Sequence, residues 1–142
     1  MKKYLIASHG RFASGLKNSI KVLTGKTDII AIDAYLEEEP VDVEQKVKEF
    51  IRELGADDVG IIFTDLIGGS VNREVMIQVK DKNNIVLISS VNLPTVLAVI
   101  LDTEPVTQVH LQEIIDSTPV KIIDFNLEQN NEDFLSDDEF LS

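Results

Sequence analysis

The stretch "KYLIASHGRFASGLKNSIKVL", residues 3–23, joins two different apolar patterns around a histidine and a glycine. Its first part, "KYLIAS" (3–8), is almost continuously apolar, which is typical of a strand covered on both faces of a sheet. From Phe12 to Leu23 the apolar residues recur at spacings of three and four, which places them on one face of a helix. The stretch therefore predicts a strand followed directly by a helix, the unit from which parallel sheets are built.

The same unit recurs along the chain. Further strands are predicted at "DIIAID" (28–33), "VGIIFTD" (59–65), "NIVLISSV" (84–91) and "VKIIDF" (120–125). Further helices are predicted from Val43 to Leu54, at 70–80, in "PTVLAVILD" (94–102) and at 107–117, with Gly25 and Gly55 as C-caps. We therefore expect an α/β fold: a doubly wound, mostly parallel sheet of about five strands, with helices on both faces and right-handed crossovers.

The net charge of the chain is acidic and unevenly distributed. It is −12 over 142 residues, and half of it lies in the last 17 residues, which hold six acidic side chains and no basic one. Because binding to phosphate backbones or anionic lipids depends on clustered Lys and Arg, we expect neither nucleic acid nor a membrane surface as a partner. No apolar run approaches the about 20 residues of a membrane span, so we expect a cytoplasmic protein without direct membrane insertion.

Two segments account for the chain: one domain over residues 1–125 and an acidic tail over 126–142. The tail is predicted to be solvated and disordered. A docking segment is the other interpretation of the tail, which rests on four apolar residues: Phe134, Leu135, Phe140 and Leu141. The absence of cysteine excludes disulfides, thiolate metal sites and a cysteine nucleophile throughout.

Chemistry in open parallel sheets is placed beyond the carboxyl ends of the strands, so these junctions are the places to search. The first predicted strand ends in "SHG", the third in "TDLIGGS" and the fourth in "SSVNLP". His9 therefore lies where a partner could reach it, and Gly10 leaves room for that approach, although a hydrogen-bonded loop histidine is the alternative. His110 lies within a predicted helix and is expected to be structural.

Asp65 ends the third predicted strand, which in a doubly wound sheet usually neighbours the first. Its carboxylate could then orient the His9 ring and make the outer ring nitrogen nucleophilic, or it could be a turn or cap residue. Gly68, Gly69 and Ser70 open a helix whose free N–H groups suit a phosphate. Together these residues predict a phosphohistidine site, with no metal site and no cofactor.

Three motifs, in this order, are also those of a known family: "IASHGRFASGL", "FTDLIGGSVNRE" and "SSVNLPTVL". The chain resembles the IIA component of the mannose-family (mannose, fructose, sorbose type) bacterial phosphotransferase system over residues 2–125. The resemblance implies that His9 accepts a phosphoryl group from the histidine-containing carrier HPr and passes it to a histidine of the IIB component. The membrane components IIC and IID would be indirect partners.

The resemblance also implies roles for the surrounding residues. Asp65 would orient His9, and the turn at 68–70, chiefly Ser70 with the backbone at Gly69, would hold the phosphoryl oxygens. The rim of the site would include Gly10, Asn92, Leu93 and Pro94, and Ile67 takes the place of an aromatic residue found in some members. Family members are homodimers that exchange a late strand, which would here be "VKIIDF" (120–125).

Three other functions remain open from the sequence. The phosphotransferase subunit of a dihydroxyacetone kinase has a first domain that resembles the same family. A response-regulator receiver also uses an aspartate after its third strand, but it requires acidic residues after the first strand, where Ser8 and His9 stand. A non-catalytic α/β binding module would make the grouping of these motifs a coincidence.

Overall fold

The computed structural model describes residues 1–126, which form four strands and five helices in strict alternation until the last two helices. The strands are β1 (Lys2–His9), β2 (Ile29–Ala34), β3 (Val59–Thr64) and β4 (Ile85–Ile88). The helices are α1 (Phe12–Thr24), α2 (Val43–Arg52), α3 (Ser70–Val79), α4 (Leu93–Leu101) and α5 (Gln108–Asp116). Each predicted helix is confirmed, as are the first four predicted strands.

The sheet is entirely parallel within the described residues, with the strand order β2-β1-β3-β4. Alternate side chains of β1 point to opposite faces. Tyr4 and Ile6 pack in the cluster that α1, α4 and α5 cover, whereas Leu5 and Ala7 pack in the cluster that α2 and α3 cover. Both faces are therefore buried, which explains why the strand sequences are almost continuously apolar and confirms the doubly wound architecture.

The ends of the helices follow from local side-chain chemistry. The Asp42 carboxylate caps α2 by accepting a hydrogen bond from the Gln45 N–H at 3.1 Å. Gly25 ends α1 in the left-handed conformation, at φ 78°, as predicted. The corresponding prediction for Gly55 was wrong, because α2 ends at Arg52 and its C-cap is Glu53 in a right-handed conformation.

The segment 120–125 differs from the expected fifth strand. It pairs with no strand of the described residues, and the side chains of Val120, Ile122 and Phe125 are 87%, 96% and 70% exposed. An apolar pattern is not sufficient for a strand, because a strand also needs a neighbour for its backbone N–H and C=O groups. The described sheet therefore has four strands rather than about five.

Two further sequence expectations concern the chain as a whole. No helix within residues 1–126 is long and apolar enough to cross a membrane. The acidic tail, residues 126–142, lies outside the described residues except for Asn126. Its predicted disorder and its possible docking role stay predictions.

Candidate functional site

His9 and Asp65 meet at the carboxyl edge of the sheet, because β1 and β3 are neighbours in parallel register. The Asp65 Oδ2 atom accepts a hydrogen bond from the backbone N–H of His9 at 2.9 Å and lies 3.0 Å from the ring Nδ1. The Asp65 side chain is 12% exposed and that of His9 is 37% exposed. The carboxylate thus lies behind the ring, and the ring itself reaches solvent.

This pairing decides the chemistry of the imidazole. A carboxylate accepts hydrogen bonds, so in the neutral imidazole Nδ1 carries the proton and Nε2 keeps its lone pair. The double contact to Oδ2 fixes both the backbone and the ring of His9 relative to β3. The outward nitrogen, Nε2, is therefore the ring atom that could act as a nucleophile.

Ser70 stands beside that nitrogen, with its Oγ 3.3 Å from Nε2. It is the first residue of α3, whose N-cap is Gly69, and no side chain in the described part of the chain caps this helix end. The other helices differ in this respect. Side chains bond first-turn N–H groups of α1, α2, α4 and α5, the acceptors being Ser8 and Asp33, Asp42, Asn92 and Thr107.

The free N–H groups of α3 and the positive end of its dipole therefore face the space around Nε2, where they suit an anion. The preceding turn allows this close approach. Gly68 has φ +77°, and a Cβ at Gly69 would lie 3.3 Å from the Cε1 of His9. The N–H of Gly69 itself donates to the Leu66 carbonyl at 3.2 Å, so it is engaged within the turn.

Two networks of side chains hold the elements of the site. The buried Thr64 hydroxyl lies 2.7 Å from Asn72 Oδ1 and 2.7 Å from Ser89 Oγ, which joins β3, α3 and the end of β4. The Ile67 N–H donates to Ser90 Oγ at 3.0 Å and so fixes the loop between Asp65 and α3. These polar contacts position the loop in one conformation, as a site for a small transferred group requires.

Tyr35 is a site residue that the sequence analysis missed. Its hydroxyl donates to Ser70 Oγ at 2.9 Å, and its ring centroid lies 5.3 Å from that of His9. It follows β2, which pairs with β1 at His9 and Ala34. The signal was an aromatic residue directly after the second predicted strand, at a junction that the sequence analysis did not consider.

The residues expected at the rim lie in different environments. Gly10 follows His9 with φ +59°, and nothing lies within 4 Å of the position of a Cβ. Asn92 caps α4, accepting from the Thr95 N–H at 2.8 Å and donating to the Thr118 carbonyl at 3.1 Å. Leu93 packs against the core and Pro94 is exposed in the first turn of α4. Of these four residues, Gly10 is the one adjacent to His9 in the sequence.

The second histidine lies elsewhere. His110 Nε2 is 2.8 Å from Asp102 Oδ1, and the hydrogen bond to that carboxylate raises the pKa of His110 above its ordinary value. Asp102 also pairs with Lys2, at the opposite end of β1 from His9. In the described residues no group of three or more His, Asp or Glu side chains is placed to hold a metal ion.

Comparisons with known proteins identify a matching family and similar structures. The family described as the fructose IIA component of the phosphotransferase system (PTS) matches residues 3–129. A solved structure of a Klebsiella pneumoniae protein, designated a phosphoenolpyruvate-dependent sugar PTS permease, is 39% identical over 70% of this chain and 72% of its own, with a TM-score of 0.61. A comparison with curated proteins gave no match.

Two structures of lower sequence identity share the fold. The PTS IIA protein associated with the fucose utilization operon of Streptococcus pneumoniae is 24% identical over 90% of this chain and 96% of its own, with a TM-score of 0.74. A mannose/sorbose-specific IIA subunit from Enterococcus faecalis is 22% identical over 87% and 98%, with a TM-score of 0.66. The family match covers most of the chain, and the chain therefore belongs to the IIA components of the sugar phosphotransferase system.

Proposed function

We propose that this protein is a phosphocarrier that accepts a phosphoryl group on Nε2 of His9 from HPr and passes it to a histidine of a IIB component. The observation that carries the proposal is the contact of Asp65 Oδ2 with Nδ1 at 3.0 Å, which leaves Nε2 as the unprotonated and accessible nitrogen. Membership in the IIA family supports the same assignment.

The transfer is an exchange of one phosphorus–nitrogen bond for another. The lone pair of Nε2 forms the new bond to phosphorus while the bond to the donor histidine breaks, and its electron pair returns to the donor ring. Since Nδ1 of His9 keeps its proton, the phosphorylated ring is cationic. The adjacent carboxylate of Asp65 stabilises that charge, as a hydrogen bond to a charged group is worth about 1.5–3 kcal/mol.

The phosphoryl oxygens are accommodated by α3. Its N-terminal N–H groups and the Ser70 hydroxyl lie on the side of Nε2 where the phosphoryl group would stand. A metal ion is not needed in this scheme, since these groups supply the hydrogen bonds to the oxygens.

The surroundings of His9 favour a protein as phosphoryl donor and acceptor. Leu66 and Ile67 are 55% and 77% exposed in the loop that follows Asp65, and Phe12 is 41% exposed at the start of α1. Exposed apolar side chains around a shallow polar site are typical of a protein interface.

Mass spectrometry after phosphorylation tests the proposal directly. We expect that incubation with phosphoenolpyruvate, enzyme I and HPr adds one phosphoryl group, and that acid treatment removes it. His9→Ala should abolish the gain, whereas His110→Gln, which replaces the other histidine of the chain, should retain it. Labelling of His9→Ala, or a label that survives acid, would contradict the proposal.

The phosphoryl acceptor distinguishes a sugar transporter from a dihydroxyacetone kinase. Samples of the phosphorylated protein are incubated separately with purified IIB and with the kinase subunits and their bound nucleotide. We expect rapid loss of the label to IIB. Loss to the kinase subunits instead would assign the chain to the dihydroxyacetone system, with the chemistry at His9 unchanged.

We further propose that the protein is a homodimer in which residues 120–125 of each copy pair with β4 of the other. Within the described sheet, β4 is an edge strand, and a groove of about 550 Å³ runs between β4 and α5 with Val86, Leu111 and Ile115 in its lining. The exposed apolar segment 120–125 has the composition of a strand and pairs with no strand of the described sheet. Strand addition would cover both surfaces.

Analytical ultracentrifugation tests this arrangement. Ile122→Asp places a charge on the segment and should convert a dimer into a monomer. Val22→Asp is the matched control, because Val22 is also exposed, at 78%, but lies on α1. A dimer that persists in Ile122→Asp would rule out the exchange.

A further inference from the structure

Tyr35 adopts a backbone conformation that bulky residues rarely take. Its φ is +64°, and among the residues that the structure describes Ser90 is the other non-glycine residue with positive φ. Both residues follow strands at the carboxyl edge of the sheet, and Ser90 holds the loop next to Asp65 through the Ile67 N–H. Such conformations concentrate at functional sites, where neighbouring contacts maintain them.

The conformation of Tyr35 directs its side chain back over the site. The Ala34 carbonyl accepts a hydrogen bond from the Gly10 N–H at 2.8 Å, which is the last link between the ends of β1 and β2. Tyr35 then turns, and its ring lies 5.3 Å from that of His9 at an angle of 37°. The side chain remains 64% exposed, so burial in the core does not explain its position.

The hydrogen bonds among Tyr35, Ser70 and His9 all donate toward Nε2. In the neutral imidazole, the Asp65 carboxylate keeps the proton of His9 on Nδ1, so Nε2 can accept a hydrogen bond but cannot donate one. The Ser70 hydroxyl is 3.3 Å from Nε2 and must therefore donate to it. Tyr35 donates to Ser70 Oγ at 2.9 Å, which occupies a lone pair of Ser70 and leaves its proton free for Nε2.

We propose that Tyr35 is a positioning residue that orients the Ser70 hydroxyl toward Nε2 and, after transfer, toward a phosphoryl oxygen. This inference rests on the proposed function of His9. Tyr35 acts through Ser70 and does not itself accept the phosphoryl group. Without the phenol hydroxyl, the rotation of the Ser70 hydroxyl would be less restricted, and its hydrogen bond to the transferring group would be lost part of the time.

A double-mutant cycle on the rate of phosphoryl transfer from phosphorylated HPr tests the inference. Tyr35→Phe keeps the ring and removes one atom, and we expect it to slow transfer about 2- to 12-fold, the effect of one neutral hydrogen bond. Ser70→Ala should slow transfer at least as much. Because Tyr35 acts through Ser70, the double variant should be no slower than Ser70→Ala.

The ring nitrogens of His9 provide a second measurement that does not require phosphorylation. In the unphosphorylated protein, Tyr35→Phe and Ser70→Ala should both move the ¹⁵N NMR shift of Nε2 toward the value of a free lone pair. Tyr4→Phe is the matched control, because Tyr4 is the other tyrosine of the chain and its hydroxyl faces the Ile100 carbonyl at 3.5 Å. It should change neither the rate nor the shift.

The outcomes separate this inference from the proposed function. A Tyr35→Phe protein with the wild-type rate and the wild-type Nε2 shift would overturn the role of Tyr35, as would an equal loss of rate in the Ser70→Ala background. If the wild type is not phosphorylated on His9, the proposed function fails, and the Nε2 shift still decides whether Tyr35 orients Ser70.

Discussion

Replacement of Asp65 by asparagine separates the charge of the carboxylate from its hydrogen bonds. Oδ2 of Asp65 faces two N–H groups of His9, at 2.9 Å and 3.0 Å, and an amide oxygen in the same place can accept from both. The amide nitrogen would take the place of Oδ1, which is buried and has no hydrogen-bond partner among residues 1–126. Asp65→Asn therefore keeps the geometry of the ring and removes the negative charge.

The size of the effect follows from the charge that develops on the ring. In the phosphorylated state the bond from Nδ1 joins a cationic imidazole to a carboxylate, which is worth about 1.5–3 kcal/mol in proteins. Asp65→Asn keeps a neutral hydrogen bond worth about 0.5–1.5 kcal/mol, so the loss is about 1–1.5 kcal/mol. This loss corresponds to a rate lowered about 5- to 12-fold. Because the His9 side chain is 37% exposed, solvent screens part of the interaction, and we expect the lower half of this range.

The measurement is the single-turnover rate of phosphoryl transfer from phosphorylated HPr, followed by rapid quench, together with the thermal midpoint of each variant. Asp65→Asn should transfer slowly and unfold within a few degrees of the wild type. Asp65→Ala should transfer slowly and also be less stable, since it leaves the N–H of His9 without its acceptor, at a cost of about 1–3 kcal/mol.

Two results would refute this reasoning. Transfer by Asp65→Asn within a factor of two of the wild type would mean that the charge of the carboxylate does not stabilise the phosphorylated ring. An Asp65→Ala protein that fails to fold, with an Asp65→Asn protein of normal rate, would reduce Asp65 to a structural role at the end of β3.

Three further variants test other parts of the structure. Gly69→Ala, whose Cβ would lie 3.3 Å from His9 Cε1 and as close to the Leu66 carbonyl oxygen, should slow phosphorylation, and an unchanged rate would contradict this close approach. Thr64→Val removes a buried hydroxyl that contacts two polar side chains, so the free energy of unfolding in urea should fall by about 1–3 kcal/mol; an unchanged midpoint would contradict that role. The pKa of His110 is raised from 6.5, chiefly by its hydrogen bond to Asp102, so the ion pair stabilises the fold below pH 6.5 and loses this effect as the pH rises through the raised value. The stability difference between wild type and His110→Gln should therefore shrink in alkaline solution, and a difference that does not vary with pH would argue against the ion pair.

The fold could be predicted because its periodicities are strong and local. Near-continuous apolar strands alternate with helices whose apolar residues share one face, and this alternation defines a parallel sheet with both faces covered. The end of α2 was less predictable, because its last turn closes on Glu53 and not on a glycine. The fate of residues 120–125 could not be predicted from an apolar pattern, since strand formation depends on a neighbour from elsewhere.

The contacts of the site were predictable where they depend on residues at the ends of neighbouring strands. His9 and Asp65 are such residues, and the structure places them in contact. Tyr35 was not predictable in the same way, because its contact with Ser70 depends on a positive φ that no sequence rule assigns to a tyrosine. The cap formed by Asn92 was also missed, since the motif that contains it was interpreted as part of the rim.

The position of the histidine within β1 follows from the two-residue period of a strand. Ser8 points to the face of the sheet that α1 covers, where its Oγ accepts the Ala13 N–H at 2.7 Å. His9 points to the opposite face, with Leu5 and Ala7, and therefore toward the N-terminus of α3. A histidine at position 8 would face the first turn of α1 and would remove the Ser8 hydroxyl that accepts the Ala13 N–H, while the Ser14 N–H is bonded to Asp33. The first-turn N–H groups of α3 have no side-chain acceptor among the described residues, so the parity of the strand is the reason that position 9, and not position 8, points a histidine toward them.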